Sequence, residues 1–424
     1  MEPIDEWSVD ANEALTLSLH SPSSGEELST FHPKFTYPIF GESETIFGYR
    51  NLNVRLAFAA DNMSPCLDVS WDKKKKPVGE VVAEDVEAIL QEYLPEEAFK
   101  SDLKSFQNTL ANFYVSFTPP GSLLNTSTHL DTTYEIWHAN LSDPHCQDLL
   151  SRIQILILLF IEGGTFITLD DDEWSQKRWD IFFLYAKSPS NEYSFIGYST
   201  VYRYYYFSPS VENLARARLS QFLILPPYQR QGHGSRFYDA LIAHYLEDPA
   251  TLEITVEDPS ESFADLRDLR DLNRLQTGGA FKGLTLTAVS KKDFPLEAVR
   301  KAAKMPERQF ARCVEMALLQ DLQEKDGKKS DERKRKDRNW KMFRLVVKGR
   351  IYKQNRDTLA QLDRLERIDK LEETYFHVED EYKRLLESVK NGRAIEDKEG
   401  IEKRANEEEE EEIDMGRPKK KARV

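Results

Sequence analysis

Residues 219–240, LSQFLILPPYQRQGHGSRFYDA, decide the fold. The stretch begins as an apolar strand, and two prolines end it because proline has no backbone N–H to donate to a sheet. The turn QRQGHG at residues 229–234 then opens a helix whose apolar residues recur every three to four positions. A strand joined to a helix by a short glycine turn predicts an α/β layer fold, which we class as α/β (α+β) with a mixed sheet.

The glycines of this turn predict an anion site at the start of the helix. The first turn of a helix leaves backbone N–H groups without intrahelical acceptors, and such groups suit a phosphate or pyrophosphate. Glycine lets the backbone approach the ligand, where a Cβ would keep it away. The spacing is not that of a dinucleotide-binding turn, because the residue three beyond Gly234 is Phe237. A tight turn that uses glycine only for its geometry is the alternative.

Composition and charge limit the function classes. The 424 residues include 58 Lys and Arg against 73 Asp and Glu, a formal net charge of −15. Nucleic acid phosphates repel an acidic protein, so a basic partner is the better expectation. Cys66, Cys146 and Cys313 have neither disulfide nor zinc spacing, which favours a reducing intracellular compartment. The acidic N-terminus shows no secretory signal, and no apolar run approaches the roughly 20 residues of a membrane helix.

Changes in composition and in the pattern of apolar residues divide the chain into five regions. The predicted regions are a flexible N-terminus at 1–30, an α/β domain at 31–164, a core of strands and helices at 165–290, a helical region at 291–390 with a charged linker at 324–338, and a disordered tail at 391–424. Within the second region, Asp143 and the glycines 163 and 164 bound a single predicted helix. Within the fourth, apolar residues from Leu371 to Val389 form a heptad seam.

Several segments together resemble the catalytic subunits of type B histone acetyltransferases, members of the GNAT N-acetyltransferase superfamily. The segments are IFGESETIFGYRNLNV at 39–54, TVYRYYYF at 200–207, SQFLILPPYQRQGHG at 220–234, LEITVEDPSESFADLRD at 252–268, ERQFARCVEMALL at 307–319, RIYKQNRDTL at 350–359 and RLERIDKLEETY at 364–375. The resemblance implies a GNAT-type core, acetyl-CoA as cosubstrate and no metal. It also implies that the substrate is lysine in the N-terminal tail of newly synthesised free histone H4, and that residues 31–164 bind it.

The resemblance places acetyl-CoA on the strand and turn described first. In the superfamily consensus Q/R-x-x-G-x-G/A, the turn amides hold the pyrophosphate and the preceding strand presents backbone groups to the pantetheine arm. The positions implied here are Phe222, Leu223, Ile224, Gln229, Arg230, Gln231, Gly232, His233, Gly234 and Ser235. We interpret His233 as a turn residue rather than a participant in the chemistry.

Acetyl transfer to lysine requires a neutral amine, and at pH 7.4 only about one lysine in a thousand is neutral. A carboxylate can accept the proton, directly or through water. Glu257 is the first candidate because it ends a strand, where ligands bind in open sheets, and the resemblance places the general base there. Asp258 is the second, as an alternative base or orienting group. Glu162 enters only through the resemblance, which implies a further site carboxylate there.

Each of these carboxylates has a plainer interpretation. The Glu-Asp-Pro sequence at 257–259 also suits a turn before the next helix, and Glu162 also suits a helix end.

A histone tail is basic, so its groove is expected to be acidic and aromatic. Glu42, Ser43 and Glu44 form one acidic loop, and residues 170–173 form another. The resemblance implies a tryptophan after the second loop that contacts the tail. The strand pattern that follows favours Trp179, with Trp174 as the alternative. Tyr206 and Phe207 end an aromatic strand near the same groove, although core packing also explains such residues.

The resemblance also implies partners. They are histone H4 together with histone H3 and a WD-repeat histone-binding subunit, with no direct nucleic acid and no membrane. The basic cluster at residues 417–423 is similar to a nuclear localisation signal, so we expect the protein in cytoplasm and nucleus. Two rival hypotheses are an acetyltransferase of a small amine and a non-catalytic histone escort.

Overall fold

The computed structural model describes residues 7–79, 81–129, 132–207, 214–326 and 337–415, with side chains described as far as residue 390. The chain divides into two compact units, residues 1–259 and residues 260–424. The first unit contains the strands. The second consists of helices.

The first unit contains fourteen strands and eight α-helices in its described residues. The strands are β1 Ser8–Asp10, β2 Leu15–His20, β3 Glu27–Phe31, β4 Thr45–Phe47, β5 Tyr49–Arg50, β6 Asn53–Ala59, β7 Pro65–Ser70, β8 Lys73–Lys74, β9 Ser122–His129, β10 Thr132–Asn140, β11 Trp179–Lys187, β12 Tyr193–Tyr205, β13 Ala215–Ile224 and β14 Thr251–Val256. The helices are α1 Ala11–Ala14, α2 Tyr37–Phe40, α3 Val86–Leu90, α4 Leu103–Asn112, α5 Pro144–Ile153, α6 Ile155–Phe160, α7 Glu173–Gln176 and α8 His233–Glu247.

Six of these strands form the sheet that carries the decisive stretch. Their order is β14-β13-β12-β11-β10-β9, and all neighbours are antiparallel except β13 and β14. A parallel pair needs a crossover connection, and α8 supplies it. A second sheet, in the order β3-β2-β6-β7, pairs β2 with β6 in parallel. The mixed sheet of the predicted fold class is confirmed.

The two faces of the six-stranded sheet have different neighbours. On one face lies α8, where the Tyr245 hydroxyl donates to Asp180 at 2.9 Å and the Phe222 and Phe237 rings are 5.1 Å apart. On the other face, Ile181 and Phe183 join the hydrophobic core that α5, α6 and the four-stranded sheet share. We call these the α8 face and the core face. Because side chains alternate along a strand, each position of the sheet belongs to one face.

Local sequence explains the helices that precede the sheet. Asp143 accepts a hydrogen bond from the His145 amide at 2.9 Å and caps α5, whose first residue is proline. The predicted single helix is interrupted at Gln154, so that α5 and the fully apolar α6 are separate. The Gln154 side chain accepts from the Ile167 amide at 2.6 Å and anchors the segment after α6.

The second unit contains seven helices in its described residues. They are α9 Glu261–Thr277, α10 Leu286–Lys291, α11 Leu296–Ala302, α12 Glu307–Asp326, α13 Arg338–Gln354, α14 Arg356–Ala360 and α15 Arg364–Met415. Tyr375, Tyr382 and Leu385 of the predicted heptad seam are buried among α12 and α13 residues. At the centre Arg350 donates to both carboxylate oxygens of Glu315, at 2.8 and 3.0 Å.

The structure corrects the predicted division of the chain at its N-terminus, at two boundaries and in its tail. Residues 7–30 are not flexible, because they form β1, α1, β2 and most of β3. The boundaries at 164 and 290 are absent: β9 and β10 belong to the same sheet as β13, and the chain divides after residue 259 instead. The tail is helical to Met415, contrary to the predicted disorder. The rest of the predicted basic tail, and residues 327–336 of the charged linker, lie outside the described residues. Within the described ranges, no helix is both long and apolar enough to cross a membrane.

Candidate active site

The sheet opens between β13 and β14. The parallel register begins at Ala215 and Thr251 and ends at Leu219 and Val256, where the Glu257 amide donates to the Leu219 carbonyl at 2.9 Å. β13 continues for five more residues beside β12 after β14 has turned away. We call this opening, bounded by residues 220–224 and 257, the splay.

A β-bulge sets the direction of the backbone N–H and C=O groups within the splay. The register between β12 and β13 passes from Thr200 and Gln221 to Val201 and Leu219, which leaves Ser220 as the extra residue. Beyond the bulge, the Leu225 amide donates to the carbonyl of Ile196 in the neighbouring strand β12 at 2.9 Å. Strand alternation then directs the backbone of Leu223 toward β12 and that of residues 222 and 224 toward the splay. The Ile224 carbonyl already accepts from the Gln229 side chain at 2.8 Å.

The predicted turn lies at the end of the splay. Arg230 has a φ of 60° and Gly232, which precedes α8, has a φ of 77° and a ψ of 0°. This left-handed conformation suits glycine and is strained in a β-branched residue. The amides of His233, Gly234 and Ser235 belong to the first turn of a 15-residue helix, which offers them no intrahelical acceptor. The turn therefore has the geometry of an anion site.

Arg236 adds a positive charge to this turn. Its Nη2 donates to the Gln231 carbonyl at 3.0 Å and lies 3.2 Å from His233 Nδ1. A Cβ built on Gly232 would lie 2.9 Å from Arg236 Nη1, so the guanidinium covers that side of the turn. The charge and the helix dipole act together on any anion bound there.

The His233 ring is buried and uncharged. Only 3% of the residue is exposed, and its ring lies 4.8 Å from the ring of Tyr134. Burial, with the Arg236 charge as a second cause, lowers the pKa of His233 to about 4. The ring lines a cavity of about 340 Å³ between α8 and strands β9–β11, on the α8 face. His233 is the first residue of α8, directly after the glycine turn.

Glu257 is held at the mouth of the splay. Its Oε2 accepts from the Ser220 hydroxyl at 2.7 Å, and its Oε1 lies 3.0 Å from Arg218 Nη2. The side chain is 37% exposed, so the carboxylate is fixed and still accessible. Registers between neighbouring strands put Arg218 opposite Tyr202 and Thr255, and Tyr202 opposite Trp179. Glu257 therefore lies on the core face of the sheet.

The two other predicted carboxylates lie on turns near this point. Asp258 is exposed and has a φ of 30°, where the chain leaves β14. Glu162 is exposed in the turn that follows α6. That turn is tied to β13, because the Gln221 side chain donates to the Thr165 carbonyl at 2.8 Å. The structure thus brings the Glu162 turn to the strand that carries Ser220.

The 42–44 loop lies next to the same turn, but its two carboxylates differ. The Gly163 amide donates to the Tyr37 hydroxyl at 3.0 Å, which connects α2 with the Glu162 turn. Glu44 accepts from the amides of Thr36 and Tyr37 at 2.5 and 3.1 Å, and the first of these bonds is the main cause that lowers the pKa of Glu44. Glu44 is therefore a helix cap. Glu42 and Ser43 are exposed.

The second acidic loop divides in the same way. Asp172 caps α7 through the amides of Trp174 and Ser175, and the Ser175 amide is the main cause that lowers its pKa. Glu173 pairs with Lys177, which lowers the pKa of Glu173. Asp170 and Asp171 stay exposed in the turn before α7.

The two candidate tryptophans lie on different faces of the sheet. Trp179 is half-buried on the core face, with its ring 4.9 Å from that of Tyr202. Trp174 is 60% exposed, and Arg178 lies 4.2 Å from its ring centroid and 5.4 Å from that of Tyr205. Tyr205 alternates with Tyr202 and so belongs to the α8 face. Trp179 shares its face with Glu257.

Tyr206 and Phe207 follow β12 and are both exposed. Tyr206 lies near Arg216, whose Cζ is 5.4 Å from its ring centroid. Sequence reasoning missed three side chains that the structure brings to the site, Arg218, Ser220 and Arg236. Arg218 and Ser220 belong to β13 and Arg236 to the first turns of α8, and only their contacts in three dimensions show that they belong to the site. No described group of three or more His, Cys, Asp or Glu residues could hold a metal ion.

The chain matches the models and curated members of one protein family. Residues 7–162 match the family model described as "Histone acetyl transferase HAT1 N-terminus", and residues 268–323 match "Fungal HAT1, C-terminal". A relative from Pyricularia oryzae is 39% identical, covering 91% of this chain and 92% of its own length. One from Gibberella zeae is 38% identical (92% and 92%), and one from Schizosaccharomyces pombe 35% (92% and 95%). All three are named "Histone acetyltransferase type B catalytic subunit".

Among solved structures, an aminoglycoside acetyltransferase from a soil metagenome aligns with 31% of this chain and 82% of its own, at 19% identity and a TM-score of 0.22.

The buried His233 makes stability depend on pH. Its folded pKa of about 4 lies below the unfolded value near 6.5, so the contribution to stability is complete above about pH 6.5 and is lost as pH falls toward 4. At about 1.4 kcal/mol per unit, wild type should lose about 1–2 kcal/mol more than His233→Gln between pH 6.5 and 5. Urea unfolding at each pH measures the difference. The exposed His377→Gln is the control and should follow wild type. Equal slopes for His233→Gln and wild type would contradict the burial of a neutral imidazole.

Proposed function

The chain belongs to the catalytic subunits of type B histone acetyltransferases, and from that premise we propose that it acetylates lysines in the N-terminal tail of newly synthesised free histone H4, with acetyl-CoA as donor and a carboxylate as general base. Membership of the family makes the chain an acetyltransferase enzyme, and the hypothesis of a non-catalytic escort is wrong. The observation that carries the proposal is the position of Glu257, fixed and accessible at the mouth of the splay.

Two features of the chain fit acetyl-CoA. The splay leaves residues 222 and 224 of β13 directed away from β12, as a pantetheine arm with its amides would require. The turn at Gly232 and the first amides of α8 suit a pyrophosphate, and Arg236 supplies a counter-charge. Bound there, acetyl-CoA would supply an activated acetyl thioester. Leu223 would contribute through packing, because its side chain belongs to the core.

Glu257 would accept the proton that the lysine ammonium must lose. The Ser220 hydroxyl holds one carboxylate oxygen and the backbone bond to Leu219 fixes the strand end. A carboxylate that is already oriented needs little reorganisation at the moment of reaction. Glu162 and Asp258 lie on adjoining turns and would act as further acceptors or orient the amine. Their share would be read from the corresponding amide variants.

The tail would cross the core face of the sheet. The turn with the exposed Glu162 is hydrogen-bonded to α2 and, through Gln221, to β13, while the rings of Trp179 and Tyr202 share the core face with Glu257. A basic peptide would gain from the acidic charge, and aliphatic lysine stems would pack on the rings. The position of Trp179 on the face of Glu257 favours Trp179 over Trp174 as the tryptophan that would contact the tail. A small-amine substrate would need none of these outer residues.

Histone H3, the WD-repeat subunit and the location in cytoplasm and nucleus stay predictions from the family resemblance, as do the roles of Tyr206 and Phe207 at the groove.

If the turn at Gly232 binds acetyl-CoA, a methyl group added at this residue should weaken that binding. Gly232→Ala should raise the Kd for acetyl-CoA about tenfold or more, because the new Cβ lies 2.9 Å from Arg236 Nη1 and keeps the ligand from the turn amides. Isothermal titration measures the Kd. Gly279→Ala is the matched control, since Gly279 has a φ of 73° and an open side. Both variants carry a left-handed alanine, which costs roughly 1–2 kcal/mol of stability. Equal Kd values for the two variants would remove the turn from the cofactor site.

The proton acceptor predicts a loss in kcat. Glu257→Gln keeps the size and the Ser220 contact but cannot take up a proton at neutral pH. A positioned base contributes about 100- to 10,000-fold, or roughly 3–5 kcal/mol of barrier. Mass spectrometry of free H4 and of an H4 tail peptide measures the rate and the modified residues. The loss should diminish as pH rises, because the amine then deprotonates unaided.

The controls for this variant are Glu162→Gln and Asp258→Asn. A larger loss in either would move the main role to that carboxylate. Wild-type kcat for Glu257→Gln from pH 6 to 9 would show that the 257–259 turn is structural. Acetylation of a polyamine in preference to the H4 peptide would reassign the substrate while leaving the chemistry in place.

A further inference from the structure

Arg218 already occupies the position beside Glu257 that suits a substrate cation. Its Nη2 lies 3.0 Å from Glu257 Oε1, and its Cζ lies 4.6 Å from the centroid of the Tyr204 ring. A carboxylate next to an aromatic ring is a favourable environment for any ammonium or guanidinium group. We call Glu257 and Tyr204 the cation slot.

The hold on Arg218 is weak enough to be exchanged. A third of the side chain is exposed, and exposed ion pairs contribute little to stability. Its Nε is buried without a hydrogen-bond partner among the described residues, so the guanidinium is not fully satisfied where it lies. The Ser220 hydroxyl would keep Glu257 in place if Arg218 moved. Displacing Arg218 therefore breaks an ion pair that is partly solvated and in which the guanidinium is not fully hydrogen-bonded.

Access of the substrate amine to Glu257 also depends on that displacement. Arg218 Nη2 lies 3.0 Å from Oε1 and the Ser220 hydroxyl donates to Oε2 at 2.7 Å, so both carboxylate oxygens already have a partner. The amine could contact Oε1 directly once Arg218 has left the slot.

We propose that Arg218 is a specificity-determining residue of the acetyl-transfer reaction, an internal cation that fills the Glu257–Tyr204 slot until the substrate lysine replaces it. The inference rests on the proposed function, because it takes Glu257 as the carboxylate that meets the amine. A neutral side chain brings no charge to exchange for the Arg218 ion pair. The exchange therefore favours substrates that arrive as cations.

The test compares two arginines of the same strand. Arg218→Met keeps an extended apolar stem and empties the slot, so the KM for an H4 tail peptide should fall about two- to fivefold, since an exposed ion pair competes only modestly. The kcat should stay within about twofold, because Ser220 still holds the carboxylate. Arg216→Met is the matched control: Arg216 lies two residues away, pairs with Glu253 at 3.7 Å and stacks near Tyr206. It should leave the KM unchanged.

Two further variants make the result decisive. Arg218→Lys preserves the charge and should keep the wild-type KM, which separates a charge effect from a loss of packing. In a Glu257→Gln background, Arg218→Met should change the KM no further, because the anionic half of the slot is gone. Thermal melting of each variant checks that the sheet is intact.

Other outcomes overturn the inference. A tenfold fall in kcat for Arg218→Met, restored by Arg218→Lys, would make Arg218 a residue that must stay in place. An unchanged KM, or the same change as Arg216→Met, would remove any role in substrate selection. Wild-type kcat in Glu257→Gln would instead refute the proposed base, whichever KM values the arginine variants give.

Discussion

The parallel pairing of β13 with β14 ends at Leu219 and Val256, and the geometry of the site depends on that ending. Had β14 continued, its backbone would occupy the edge of β13 along residues 220–224. Because it turns away at Glu257, two things happen at once: an edge of the central sheet becomes available, and a carboxylate is left at the mouth of the opening. The bulge at Ser220 links them, since it reorients the strand and brings its hydroxyl to that carboxylate.

Some carboxylates of the first unit have hydrogen-bond or ion-pair partners within the protein, and others are exposed to solvent. Glu44 and Asp172 cap helices and Glu173 pairs with a lysine, so these carboxylates already have partners. Glu42, Asp170 and Asp171 are exposed. Not all of the carboxylates that contribute to the net charge of −15 are therefore available to a basic peptide. Reversing the charge of a capping residue would change the stability of the fold as well as peptide binding. Exposed carboxylates are the ones whose effect should be screened by salt.

The sequence predicted the parts of the fold whose pattern is local. The strand, turn and helix at 219–240 and the position of Glu257 at a strand end follow from periodicity and turn residues. The β9–β10 hairpin was missed because β9 is a polar edge strand, exposed along most of its length, with no apolar alternation. β3 was missed because serine and glutamate dominate residues 21–30, whereas β2 was missed although leucine alternates with Thr16, Ser18 and His20 along it. Arg218 could not be recognised, since only the register with β12 and β14 puts it beside Glu257.

The most direct test of the central claim is hydrogen–deuterium exchange of the folded protein with and without acetyl-CoA. If the splay and its turn bind the cofactor, protection should increase at the amides of Phe222, Ile224 and residues 232–235, because their N–H groups gain acceptors or are covered. The amides of β14 from Thr251 to Val256, which are already paired with β13, should change little. Protection confined to other parts of the chain, with residues 222–235 unchanged, would contradict the account.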